Sequence, residues 1–135
     1  MLQAVAATGM IVHVGTDLVS ISDVAASIEA YGHRYLERVY SMTELRFCRD
    51  ETGEPSARRL AARFAAKEAV IKALRPSEGL ALNEIEVTTD ESGAPSMAFL
   101  GSAARWVTGL RITSASVSLS HEGNFAIAVF VAITM

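Results

Sequence analysis

The chain has 135 residues, a mass of 14.4 kDa and a formal net charge of −3, which is the length of one domain and excludes a second catalytic domain. Half of its residues are hydrophobic and a fifth are charged, a composition that excludes a disordered chain or a coiled coil. Its pI is near 5.6 and no basic run reaches five residues, so the usual footprint of nucleic-acid binding is missing, and no apolar stretch approaches the ~20 residues of a membrane span.

The one cysteine and the amino-terminal segment bear on the cellular compartment in which the protein is expected. Cys48 cannot form an internal disulfide or hold a zinc ion alone, so we expect a small buried hydrophobic side chain in a reducing environment. Residues 1–9 lack the positive charges of a signal peptide and are expected to form a flexible leader. The sequence therefore predicts a cytoplasmic protein with one domain over residues 1–135, in which any metal ligands are oxygen atoms.

The first predicted element is a buried strand. Residues 10–14 form an apolar, β-branched run that Gly15 closes, and Asp17 lies just past its end. Ser41 followed by Glu44 is the signature of a capping box, which opens a helix. Helical spacing predicts three helices after the strand, over residues 22–31, 34–40 and 41–49.

Residues 57–74 form the most periodic segment of the chain. Bulky apolar residues line one side of the predicted helix and alanines line another; the alanines are Ala62, Ala66, Ala69 and Ala73. A stripe of alanines lets another backbone approach closely, so we expect this helix to be central to the domain. Pro76 ends it.

The last third of the chain predicts mainly strands. Residues 84–89 alternate apolar and polar side chains, and a turn at 90–95 leads into residues 96–100. This pattern predicts a β-hairpin. A short helix near 102–108 is followed by two apolar strands expected to pair in the core, over residues 114–120 and 125–133. The elements predict an α+β fold.

Two charges on the long helix suggest a site. At 100° per residue, Glu68 and Lys72 fall about 40° apart, on a line shared with Ala61 and Ala65. One interpretation is a surface ion pair worth a few tenths of a kcal/mol. The other is a ligand site, because the helix is apolar on most sides, the alanines leave space, and this chain of ten arginines has only two lysines, Lys67 and Lys72, both in this helix.

Asp17 alone is as compatible with a turn or a helix cap as with a metal ligand. If Asp17 meets Glu68, the two carboxylates need a cation, and Mg²⁺ takes one or two carboxylates together with phosphate oxygens and waters. Lys72 would then meet the phosphates as a point charge. His121, in the turn Ser-His-Glu-Gly-Asn, is also compatible with an exposed turn histidine. The residues alone thus indicate a candidate site for Mg²⁺ and phosphate.

Three segments carry a more specific pattern. They are residues 15–19 (Gly-Thr-Asp-Leu-Val), 63–73 (Arg-Phe-Ala-Ala-Lys-Glu-Ala-Val-Ile-Lys-Ala) and 118–122 (Ser-Leu-Ser-His-Glu). In this order and spacing they resemble the holo-acyl-carrier-protein synthases, the short branch of the 4′-phosphopantetheinyl transferases, over nearly the whole chain after the leader. The resemblance implies the 4′-phosphopantetheinyl transferase fold, an antiparallel sheet packed against a long central helix and short helices. It also implies a homotrimer with sites between subunits.

The resemblance further implies Mg²⁺-dependent transfer of 4′-phosphopantetheine from coenzyme A to a serine of an acyl carrier protein, which leaves adenosine 3′,5′-bisphosphate. Asp17 and Glu68 match the family's metal ligands, and Lys72 matches the lysine that contacts the phosphates and helps the leaving group. The resemblance also implies that the proton of the serine passes to Glu68 or to a water on the metal. Arg63 and His121 match positions at the nucleotide end of coenzyme A.

The sequence departs from the family pattern in two places. Residues 75–79, Arg-Pro-Ser-Glu-Gly, stand where the family often has a glycine-rich step, so we expect a different loop near the nucleotide. The first helix carries Asp23 and Glu29 where the family often has basic residues for the acidic carrier. Arg34 and Arg38 follow one turn apart, and we expect them to carry much of the carrier contact.

Two other classes of protein compete with the transferase. A non-catalytic module that binds coenzyme A or a nucleotide would keep Lys72 and Arg63 but would not need two carboxylates for a metal. A structural subunit would need none of these residues. The presence of both carboxylates in the chain favours the transferase.

Overall fold

The computed structural model describes residues 9–135, so the leader expected over residues 1–9 lies outside the described residues apart from Gly9. A single turn of 3₁₀ helix, Leu82–Glu84, precedes the second strand. The helices and strands follow one another as β1 (Ile11–Ser20), α1 (Ile21–Tyr31), α2 (His33–Val39), α3 (Met42–Phe47), α4 (Ala57–Leu74), β2 (Ile85–Thr89), β3 (Pro95–Phe99), α5 (Gly101–Thr108), β4 (Ile112–Glu122) and β5 (Phe125–Thr134). The predicted α+β fold is confirmed.

The strands form two antiparallel sheets. In the larger sheet the order is β1-β5-β4, so the first strand pairs with the last one of the chain. β4 and β5 are the two apolar strands that the sequence predicts to pair, and their pairing is confirmed. The smaller sheet is the predicted β2–β3 hairpin. One face of the larger sheet packs on α4, and the core lies between them.

Helix α4 has the bounds that the sequence predicts. Leu60 and the four alanines of the predicted stripe are buried. The strand that faces the helix also uses small residues: Ala126, Ala128 and Ala132 on β5 are fully buried, with Phe130 between them. Small side chains on both surfaces let the helix lie close to the sheet.

The prediction for the first strand is wrong about where it ends. β1 continues through Gly15 to Ser20, and Asp17 lies within it, opposite Ala128 of β5. The physical reason is that β5 offers an unbroken row of backbone partners, and pairing with it overrides the local tendency of glycine to end a strand. Gly15 is needed for another reason, its contact with α4.

Individual residues set two helix starts and one helix end. Ser41 and Glu44 form the predicted capping box at the start of α3. Helix α1 begins at Ile21, one residue before the predicted start, because the strand runs directly into the helix and the Ser20 hydroxyl caps it by accepting from the Asp23 backbone N–H. Arg75 ends α4 with a left-handed backbone, φ 50°.

Two further observations bear on the protein as a whole. Cys48 is a free thiol, fully buried as predicted, and burial raises its pKa to about 11. A thiol of this kind is not a reactive nucleophile. Over residues 9–135, no helix combines the length and the apolar character needed to cross a bilayer.

Gly15→Ala tests the contact between β1 and α4. A Cβ at this position would overlap the carbonyl oxygen of Ala69 and come within 2.8 Å of the Ala73 nitrogen. We expect the free energy of unfolding, measured by urea denaturation, to fall by about 1–3 kcal/mol or more. Gly79→Ala is the matched control, since a Cβ there meets open space, and it should change stability by less than about 0.5 kcal/mol. Equal stability of the two variants would contradict the contact.

Candidate functional site

The site is built where β1 crosses α4. Asp17 lies two residues from Gly15 and two from Val19, and because side chains alternate along a strand, all three share the face toward the helix. Gly15 and Val19 are buried there, whereas the Asp17 side chain lies at the edge of the contact and is 16% exposed. The strand therefore delivers one carboxylate to the rim of the helix–sheet interface.

Helix α4 brings two more charges to the same place. Glu68 and Lys72 lie one turn apart on its surface. The Lys72 Nζ lies 2.8 Å from Asp17 Oδ1 and donates a second hydrogen bond to the Thr16 carbonyl oxygen at 3.2 Å. Lys72 thus pairs with Asp17 and not with Glu68, and the simple helix-surface ion pair is not the arrangement in the structure.

The carboxylates influence each other. The pKa of Glu68 is raised, first by its partial burial and then by the negative charge of Asp17, while Lys72 opposes this rise. The pKa of Lys72 is raised by its hydrogen bond and charge interaction with Asp17. Two carboxylates and one ammonium group leave a net negative charge at this spot, which favours binding of a cation.

The donor set suits a hard divalent cation. Within residues 9–135 there is no group of three metal-ligating side chains, so a metal with a full protein cage is not expected in that part of the chain. Two carboxylates fit Mg²⁺, which keeps waters and takes its other ligands from substrate phosphates. Asp17 and Glu68 are the residues that could hold such an ion.

Lys72 adds little to stability. Its side chain is 55% exposed, and an ion pair as accessible as this contributes on the order of 0–1 kcal/mol after screening. The fold therefore does not require this lysine. Its charge is available for a ligand.

Arg63 lies in a separate cleft of about 400 Å³. It is 8% exposed, and its guanidinium lies 5.1 Å from the centre of the Phe47 ring. The walls come from α3, α4 and the β2–β3 hairpin, with Thr43, Glu44, Phe47, Arg63, Val87, Thr88, Thr89, Asp90, Glu91 and Gly93 as lining residues. Sequence reasoning missed Phe47, although the capping box at Ser41 places it in the last turn of a helix.

His121 does not join either group. It lies exposed near the end of β4, opposite Ala126, and does not line the Arg63 cleft. The structure of one chain therefore unites three of the five predicted site residues, Asp17, Glu68 and Lys72. Arg63 and His121 occupy two other places.

Comparisons with known proteins agree on one family. Residues 13–130 match the family model of the 4′-phosphopantetheinyl transferase superfamily. A holo-[acyl-carrier-protein] synthase of Halorhodospira halophila is 39% identical over 127 residues, covering 93% of this chain and 99% of that relative. Another, of Dehalococcoides mccartyi, is 42% identical over 120 residues, covering 89% of this chain and 97% of that relative. The crystal structure of Helicobacter pylori holo-[acyl-carrier-protein] synthase in complex with coenzyme A superposes on this chain with a TM-score of 0.74 and 31% sequence identity. The match covers 88% of this chain and 98% of that one.

Proposed function

The chain belongs to the 4′-phosphopantetheinyl transferase superfamily and is a holo-acyl-carrier-protein synthase, and from this premise we propose how its residues act. The enzyme transfers 4′-phosphopantetheine from coenzyme A to a serine hydroxyl of an acyl carrier protein, depends on Mg²⁺ and releases adenosine 3′,5′-bisphosphate. The observation that carries the proposal is the meeting of Asp17, Glu68 and Lys72 at the crossing of β1 and α4.

Asp17 and Glu68 would hold the Mg²⁺, and the coenzyme A pyrophosphate would lie against it. When bound, Mg²⁺ neutralises charge on the phosphates and orients them. Lys72 contributes a solvent-accessible ammonium that is paired with Asp17 and opposes the rise in the pKa of Glu68 through its charge, which suits it to stabilise charge on the leaving phosphate. No covalent enzyme intermediate is required.

The transfer step is a direct displacement. The serine Oγ forms a bond to the β-phosphorus of coenzyme A, and the bond from that phosphorus to the bridging oxygen breaks. The electron pair leaves with adenosine 3′,5′-bisphosphate, whose new negative charge Lys72 faces. The serine proton passes to the Glu68 carboxylate, which is partly shielded from water, and then to solvent.

Arg63 and His121 are proposed to bind the nucleotide end of coenzyme A. A buried guanidinium against an aromatic ring at the wall of a cleft suits a phosphorylated nucleotide. Arg63 and His121 of one chain do not line the same cavity, and we propose that a second copy of the chain supplies one of the two. The site would then lie between subunits.

The larger sheet supports the proposed homotrimer. Its face away from α4 carries exposed apolar side chains on neighbouring strands: Val14 is 64% exposed, Leu18 62%, Phe125 50%, Ile127 39% and Val129 38%. A contiguous patch of this kind is typical of a protein interface. Further copies of the same chain would cover it.

A cytoplasmic location fits the reduced, buried Cys48. The acyl carrier is expected to serve fatty acid biosynthesis, either as a free-standing protein or as a domain of a large synthase.

Asp17→Ala and Glu68→Ala test the metal site and the reaction together. Incubation with coenzyme A, Mg²⁺ and an apo-carrier should add the mass of one phosphopantetheine to the carrier, as followed by mass spectrometry. Each variant should lose at least about a hundredfold in rate, because each removes a proposed metal ligand and not a packing group. Circular dichroism confirms folding. Near-normal rates in either folded variant would refute the metal assignment, and coenzyme A binding without any transfer by the parent would favour the non-catalytic module.

Lys72→Ala should lower kcat by about a hundredfold while the KM for coenzyme A changes much less, because the charge is needed most as the leaving phosphate develops its own. The free energy of unfolding should change by less than about 1 kcal/mol. Lys67 is unsuitable as a control because it is fully buried, whereas Arg58→Ala removes an exposed charge from the same helix. Similar kinetic losses in both variants would indicate a general effect on α4.

If the protein is a homotrimer, light scattering should give a molar mass three times that of one chain. Ile127→Asp, on the apolar sheet face, should dissociate the assembly and abolish transfer, because it buries a charge in the interface. Met42→Asp is the control, since Met42 is equally apolar and 64% exposed but lies on α3. A parent protein that is active as a monomer would contradict the prediction.

The carrier surface is proposed to lie on α1 and α2. Tyr31, Arg34, Tyr35 and Arg38 line a cleft of about 310 Å³, and both arginines are exposed and four residues apart on one helix face. Since the preceding helix is acidic in its first turn, the enzyme is expected to prefer a carrier less acidic than a typical free-standing one, such as a synthase domain. These charges should govern the association rate and its salt dependence.

Arg34→Ala combined with Arg38→Ala should therefore slow transfer at low salt and flatten the salt dependence of kcat/KM. Rates are compared on a free-standing carrier and on a synthase carrier domain across a salt series. Arg105→Ala, an exposed arginine on α5, is the control. A clear preference for the acidic free-standing carrier, with no penalty from the arginine changes, would refute both parts of the proposal.

A further inference from the structure

A second ion pair lies deep inside the molecule, and the proposed reaction does not use it. The Lys67 Nζ lies 2.6 Å from Glu44 Oε1, and both side chains are fully buried. Lys67 also donates to the carbonyl oxygens of Leu82 at 3.0 Å and Ile85 at 2.5 Å. All three protons of the ammonium group therefore have acceptors.

Glu44 is equally well satisfied. Its Oε1 also accepts from the Ser41 backbone at 2.9 Å, which is half of the capping box of α3, and its Oε2 accepts from the Val87 backbone at 2.8 Å. One carboxylate thus joins the start of α3 to strand β2. Through Lys67 it joins both of them to the middle of α4.

Stability alone does not account for this pair. Removing two charges from water is costly, and replacing a buried ion pair by apolar residues of similar size is often neutral or stabilising. Burial lowers the pKa of Lys67, and the negative charges of Glu44 and then Glu86 oppose that effect. The Tyr40 ring lies 5.8 Å from the ammonium. The hydrogen bonds of the pair fix both the distance and the orientation between α3, β2 and α4.

The elements that the pair joins are the walls of the Arg63 cleft. Glu44 itself, Phe47 of α3 and Val87 of β2 line this cleft. The opposite anchor, Lys67, directly precedes Glu68 in α4, the helix that also carries Arg63 and Lys72. A shift of β2 or α3 against α4 would change the width of the cleft and its position relative to the phosphate-facing residues.

We propose that Glu44 and Lys67 are positioning residues for nucleotide binding: the pair holds α3 and β2 against α4 at the spacing at which the Arg63 cleft accepts the nucleotide end of coenzyme A. The inference rests on the proposed function, because it takes coenzyme A as the occupant. Neither residue touches the reacting atoms. Their effect reaches the substrate through the backbone of β2 and the helix of α3.

The double variant Glu44→Met with Lys67→Met tests whether the pair positions the cleft walls or only stabilises the fold. Methionine keeps much of the length of both side chains and removes both charges together, so no buried charge is left unpaired. The Ser41 and Val87 backbone donors lose their acceptor, so the midpoint of urea unfolding should fall, but by no more than a buried Leu→Ala change lowers it. Because the link from Glu44 to the Val87 backbone is lost, we expect the Kd for adenosine 3′,5′-bisphosphate, measured by calorimetry, and the KM for coenzyme A to rise about tenfold to a hundredfold. The kcat at saturation should stay within about twofold of the parent.

Glu44→Gln provides a second variant if the double variant does not fold. Its amide keeps one acceptor oxygen for Lys67 and Ser41, but its NH₂ group faces the Val87 N–H, so the hydrogen bond to β2 is lost. The same rise in Kd and KM is expected. Leu36→Ala is the control: it truncates a buried side chain of α2 that does not line the cleft, so it lowers the urea midpoint without changing the Kd.

The outcomes distinguish this inference from the proposed function. A stable double variant, or a folded Glu44→Gln, that binds adenosine 3′,5′-bisphosphate as tightly as the parent would overturn the positioning role while the transferase stands. A loss of affinity in Leu36→Ala that matches the loss in Glu44→Gln would also overturn it, because affinity would then follow stability. A parent that neither binds this nucleotide nor transfers phosphopantetheine would overturn both.

Discussion

Direct backbone contact between β1 and α4 sets the distances within the site. Gly15 allows it, because any side chain there would overlap the carbonyl oxygen of Ala69. Two residues further along the same face, Asp17 reaches Lys72 at 2.8 Å. With a larger residue in place of Gly15, the strand would have to lie further from the helix, and Asp17 would move away from both charges of α4. A packing constraint in the core therefore determines the chemistry at its rim.

The small residues that permit this contact have a second consequence. With alanines on both α4 and β5, the interior holds few bulky side chains, so the core buries less apolar surface than larger side chains would provide. Larger apolar residues lie instead on the outer face of the sheet, where Leu18 is 62% and Phe125 50% exposed. Association through that face would supply the burial that the single chain lacks, and it would bring sites of neighbouring chains together.

Helix α4 carries two lysines with opposite environments. Lys72 is exposed at the rim, where its charge is free to meet a substrate, while Lys67 is fully buried and saturated by fixed acceptors. Each pairs with a carboxylate from another element, Asp17 of β1 and Glu44 of α3. The helix is in this way tied to the strand that brings the proposed metal ligand and to the wall of the cleft that contains Arg63.

The sequence by itself determined the elements whose signals are local: the bounds of α4, the capping box at Ser41, the hairpin and the pairing of β4 with β5. Charges among alanines on an apolar helix also singled out Glu68 and Lys72, whereas Asp17 became a candidate ligand through the family pattern, because its position after a strand alone was equally compatible with a turn or a cap. Only the tertiary structure decided that Asp17 lies inside β1, that Lys72 pairs with Asp17, and that Lys67 is buried. These facts depend on partners distant in the chain. A strand end depends on whether β5 supplies hydrogen-bond partners, and the environment of a lysine depends on which elements pack over it, which no local pattern encodes.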